Sequence, residues 1–153
     1  MELVQRATNL VNEYEKENGQ RRVIPEGQDS PVRWTPPVEG TYKLNTDVAV
    51  FQEGKVGLGA ILRDYMGETV VVTCWMVAGD NKVELGEGLA ARHGLKISLE
   101  AGFEHIILET DSVKLYTHMK KENEENNIFG RIVQDIKTLA CRCLNFEVLH
   151  VKR

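Results

Sequence analysis

Between Tyr42 and Val77 the chain holds three runs of β-forming residues, Tyr42–Phe51, Val56–Arg63 and Thr69–Val77, separated only by Gln52-Glu53-Gly54-Lys55 and a turn at Asp64–Gly67. A parallel return takes a dozen residues or more. Connections this short therefore force an antiparallel meander. The period then changes. From Asn81 to Ala101, Leu85, Leu89, Leu95 and Leu99 recur with small residues between them, which predicts a helix stopped by Gly102. His105-Ile106-Ile107-Leu108 is a short apolar run of the kind buried on both faces. A helix is predicted from about Ser112, and another is marked by Phe129, Ile132, Val133, Ile136, Leu139, Ala140 and Cys143. Phe146–Val151 reads as a last strand. The order βββαβααβ implies an α/β mixed sheet, with the meander at one side and parallel strands added through helical crossovers.

Ahead of this pattern, Leu3, Ala7, Leu10, Val11 and Tyr14 fall at helical spacing and predict an amphipathic helix over 1–18. Residues 19–39, with all four prolines, read as a linker or arm. The cored domain is expected over 40–153. A chain of 153 residues has room for one such domain. No apolar run nears the roughly 20 residues that span a bilayer, and Met1–Gln20 does not resemble a secretory signal. The expectation is an intracellular protein with no membrane partner, nucleus and cytoplasm being equally open, and a monomer. Three cysteines, odd in number and in apolar contexts, predict reduced and buried thiols. The net charge of −4 argues against general attraction to a polyanion, so nucleic-acid binding would need a local patch.

Three carboxylates stand out. Asp47 lies mid-strand between Thr46 and Val48, where Asp is depleted; it is either an exposed strand residue or a ligand. Glu87 shares a helical stripe with Ala91, Gly94, Ser98 and Ala101, a face suited to close packing, where a charge needs a partner or a metal. Asp111 follows a buried strand and precedes a helix, either as a cap, a role Ser112 can also fill, or at the carboxyl end where α/β sheets hold their sites. Oxygen donors in this set suit a hard cation such as Mg²⁺.

Several strings carry a resemblance: Trp34-Thr-Pro-Pro, Gly40-Thr-Tyr-Lys-Leu-Asn-Thr-Asp47, Gly57-Leu-Gly-Ala-Ile-Leu-Arg-Asp64, Glu87-Gly-Leu-Ala-Ala-Arg, Ile107-Leu-Glu-Thr-Asp-Ser112 and His150-Val-Lys-Arg153. From about residue 34 onward the chain resembles the plant ribonuclease H-like domains related to reverse transcriptase and non-LTR retrotransposon sequences. The resemblance implies a ribonuclease H-like five-stranded sheet in the order 3-2-1-4-5, flanked by helices. It further implies a metal-dependent endonuclease that hydrolyses the RNA strand of RNA–DNA hybrids with two Mg²⁺ ions, Mn²⁺ being a substitute. By motif, Asp47 would bridge the ions, and Glu87 and Asp111 would complete the one nearer the leaving group. Glu84 is a rival to Glu87, because Asn81-Lys-Val-Glu-Leu85 resembles the matching stretch of bacterial enzymes. The family's fourth carboxylate follows the His-Val-Lys-Arg motif on a last helix that residues 40–153 lack, and its loss weighs more on chemistry than on folding. The alternative is an inactive ribonuclease H-like module that binds nucleic acid or a protein.

Other signals point to structure. Gly54-Lys-Val-Gly-Leu-Gly59 has neither phosphate-loop spacing. His93, His105, His118 and His150 lack metal-ligand spacing, and Cys141 and Cys143 point to different helix faces. Arg21, Arg22 and Arg33 read as a solvated linker, and Trp34 and Trp75 as packing residues rather than base-stacking platforms.

Overall fold

The computed structural model describes residues 33–78, 83–123 and 125–152. The helix expected over 1–18 lies outside them. Along the chain come β1 (Tyr42–Phe51), a 3₁₀ turn at Gln52–Gly54, β2 (Lys55–Arg63), β3 (Thr69–Ala78), α1 (Val83–Glu100), β4 (His105–Thr110), α2 (Val113–Lys120), α3 (Ile128–Ala140) and β5 (Asn145–His150). The strands form one sheet in the order β3-β2-β1-β4-β5, as the resemblance implied. The β1–β2 and β2–β3 pairs are antiparallel, and β1–β4 and β4–β5 are parallel.

Local chemistry sets the boundaries. Asp64 closes the β2–β3 turn, its Oδ1 accepting from the N–H groups of Met66 and Glu68 at 2.9 Å, while Gly67 takes φ +80°. Ser112 caps α2 by accepting from Leu115 N–H at 3.1 Å, and Asn127 caps α3 by accepting from Gly130 N–H at 2.8 Å.

All three helices share one face of the sheet. Leu44, Leu62, Leu108 and Val148 meet Leu95 from α1, Leu115 from α2 and Val133 and Ile136 from α3 in a single buried cluster. The strand period of two sends Lys43, Asn45 and Asp47 to the opposite face. Close approach of α1 depends on glycine. A Cβ at Gly94 would stand 2.6 Å from the Ala60 Cβ, and one at Gly86 would stand 2.8 Å from Val48 Cγ1. No helix among the described residues is long and apolar enough to cross a membrane. The cysteines correct one expectation: all three are free, but Cys74 and Cys141 are exposed and only Cys143 is half-buried. Cys74 is exposed because it points to the face of the sheet that no described helix covers.

Candidate functional site

Two aspartates reach the same end of the sheet. The β1–β4 register ends by pairing Asn45 with Glu109, so Asp47 stands two residues further along β1 and Asp111 two residues further along the chain, just past the end of β4. Sites in α/β sheets form outside such carboxyl ends. Asp47 is exposed and its Oδ1 accepts from Val48 N–H at 2.9 Å. Asp111 is not the cap of α2, since Ser112 fills that position. Its carbonyl oxygen lies 3.3 Å from His150 Nε2 on β5.

The two candidate glutamates on α1 differ in setting. Glu87 is 8% exposed, in the turn where Gly86 touches Val48, the residue after Asp47. Glu84 is 58% exposed and bonded to Lys114 Nζ at 2.8 Å. Asp47 thus lies on β1, Asp111 just past β4 and Glu87 in the α1 turn that packs on Val48, and their oxygens are the donors a hard cation takes. Among the described residues, however, no three His, Cys, Asp or Glu side chains form a group that could hold an ion. The donor chemistry suits a divalent ion and the spacing is open.

Just behind this end lies a polar cluster that the sequence did not reveal. Glu109, 4% exposed on β4, receives Lys43 Nζ on Oε1 at 2.7 Å. Its Oε2 receives Asn45 Nδ2 at 2.7 Å and Trp34 Nε1 at 2.9 Å. Lys43 also donates to the Thr35 carbonyl at 2.8 Å, and Arg63 donates to Asn45 Oδ1 at 3.2 Å. Lys43 and Arg63 lie 5.5 and 5.4 Å from the Trp34 ring centre. These bonds tie β1, β2 and β4 together one step before Asp47 and Asp111. The signal available in sequence was the alternation of Lys43 and Asn45 with apolar or small neighbours, matched by Glu109 at the end of an apolar run.

His118 and His93 are held by contacts within the fold. His118 Nδ1 lies 2.8 Å from the Lys114 carbonyl and its Nε2 lies 3.4 Å from Glu125. Asn127 and then His118, by hydrogen bonding, hold the Glu125 carboxyl below its usual range. His93 contacts Thr73 Oγ1 at 2.8 Å, and burial, helped by Lys96, pushes its pKa down.

A family model described as reverse transcriptase-like matches residues 45–153. No curated protein matches the chain. Among solved structures, the chain is similar to RNase H1 from the halophilic archaeon Halobacterium salinarum NRC-1, with a TM-score of 0.67 and 20% identity, covering 74% of this chain and 87% of that one. The N-terminal RNase H domain of a Mycobacterium tuberculosis protein gives a TM-score of 0.64 at 14% identity, covering 74% and 83%. LC11-RNase H1 in complex with an RNA/DNA hybrid gives 0.63 at 16%, covering 74% and 86%. The fold is ribonuclease H-like.

Proposed function

We propose, given that the chain belongs to the reverse transcriptase-like family, that it is a divalent-metal-dependent endoribonuclease acting on the RNA strand of RNA–DNA hybrids. Asp47, Glu87 and Asp111 are the residues that would hold Mg²⁺, with Mn²⁺ as substitute. The observation that supports this reading is the parallel β1–β4 pairing, which sets Asp47 and Asp111 each two residues beyond the Asn45–Glu109 pair, with the α1 turn that carries Glu87 packed on Val48 next to Asp47. The hybrid held by LC11-RNase H1, a protein of similar fold, supports the substrate class. The ion would supply activation of water and stabilisation of the leaving oxygen on phosphorus. The chain's own part is positional. Glu87 presents a carboxylate from a buried helix face, and Asp47 must turn from the Val48 N–H to face a ligand. The 2′-hydroxyl would distinguish RNA from DNA.

A second reading, an inactive module that binds nucleic acid, is favoured by the open spacing of the carboxylates. Cleavage of an end-labelled hybrid in Mg²⁺ and in Mn²⁺, beside Asp47→Asn, separates the two. The expected result is RNA-strand cutting that falls at least about a hundredfold in the variant. Hybrid binding without cutting, from folded protein, would establish the inactive module instead.

A further inference from the structure

β3 ends the sheet: β2 lies on one side of it and no described strand on the other. Its ten residues, Thr-Val-Val-Val-Thr-Cys-Trp-Met-Val-Ala, contain no charge, proline or glycine. Natural edge strands are guarded by such residues or by bulges that twist the edge away. The irregularity in the β2–β3 ladder sits at Leu62/Arg63, beside the start of β3, and the register from Val71 to Ala78 is continuous. On the helix-free face Val70, Val72, Cys74 and Met76 are all exposed.

The helix side of the same edge carries both a projection and a hollow. Trp75 stays 45% exposed although its ring lies 5.3 Å from that of His93. Beside it opens a cavity of about 650 Å³, lined by Trp75, Arg92, Lys96, Asp135 and Leu139 among others. The charges at its rim are matched within the chain, Arg92 with Asp135 at 2.7 Å and Lys96 with Glu100 at 3.9 Å. A patch of balanced charge does not select a polyanion. An open strand edge selects another strand, and an uncharged one pairs with itself without setting like charges opposite.

We propose that two copies of this chain pair antiparallel through β3 about a two-fold axis, joining their sheets into one. Directly opposed residues of an antiparallel pair share a face, so the axis passes through a residue rather than between two. For near-complete overlap that residue is Thr73 or Cys74. In the first register Val72 stands opposite the partner's Cys74; in the second it stands opposite the partner's Met76. Every cross-strand pair is uncharged in both. Each copy then sets its Trp75 beside the other's cavity, the self-complementary arrangement of an isologous interface. The proposed dimer departs from the monomer expected from sequence and is independent of the proposed activity.

Sedimentation of the full chain tests it. The parent is expected at twice 17.3 kDa at concentrations up to about 100 μM. Val72→Lys and, separately, Met76→Lys should sediment as monomers that still melt cooperatively, because both side chains face solvent in the single chain. Val113→Lys, on α2 away from the edge, should leave the dimer intact. A monomeric parent, or dimers that persist in both folded strand variants, would overturn the proposal.

Discussion

Glu109 shows what a single buried charge requires. Its two oxygens receive three donors, from Lys43, Asn45 and Trp34. Desolvating a carboxylate costs several kcal/mol, which paired hydrogen bonds and an opposite charge must offset. Removing one partner is therefore worse than its net worth suggests. Lys43→Met should cost about 3–5 kcal/mol, since it strands the carboxylate. Trp34→Phe keeps an aromatic ring but loses the indole N–H and part of its contact area, so about 1.5 kcal/mol or somewhat more is expected. Urea midpoints with unchanged slopes check both values. The candidate carboxylates stood out in sequence because residue type conflicted with place: an Asp within a strand, a Glu on a small-residue stripe, an Asp after a buried run. Glu109 was hidden for the converse reason. It reads as the polar end of a strand closing at Leu108, whereas β4 continues to Thr110 and buries it. The lysine that makes this tolerable lies on β1, and a contact across strands leaves no local trace.

At the scale of elements, alternation and turn chemistry were sufficient for the meander, Ser112 for the start of α2, and apolar periodicity for α3. What local pattern missed was the setting of each element. The glycines flanking Glu87 read as weak helix formers, but a Cβ at Gly86 would press on Val48 and one at Gly88 would stand 2.9 Å from Ile132 Cγ2. They permit close packing at the cost of helix propensity. β3 reads as a core strand because its composition is apolar, and its exposure follows from its place in the sheet. The contact between α1 and β3 carries a pH dependence. His93 has its pKa pushed below the ordinary 6.5, first by burial, then by Lys96, with Arg92 acting the same way and Glu100 opposing. The unfolded chain then binds a proton that the folded chain refuses. Stability from this site is complete above pH 6.5 and is lost as pH falls from there toward the lowered folded value. His93→Gln should shrink the difference in unfolding free energy between pH 7.5 and 5.5, measured by urea titration at each pH. An undiminished difference would assign the acid sensitivity to other groups.

Across the described residues, three helices on one face and a polar cluster on the other hold the strand ends in register, while the candidate carboxylates form no group that could hold an ion. Strand order came from the resemblance, not from local pattern, because the βββαβααβ order is compatible with more than one placement of β4 and β5. The same architecture makes a prediction that does not need turnover. If Asp47, Glu87 and Asp111 hold a divalent ion only in the folded chain, the ion stabilises the fold by RT ln(1 + [L]/Kd). For a dissociation constant near 1 mM, about 10 mM Mg²⁺ adds about 1.4 kcal/mol, which is a rise of a few degrees in the melting midpoint. Asp47→Asn removes an oxygen donor's charge and should abolish that rise, whereas Glu84→Gln, whose parent side chain is exposed and bonded to Lys114, should keep it. Equal loss in both variants would move the ion along α1 toward Glu84. A rise untouched by either would place it away from this end of the sheet.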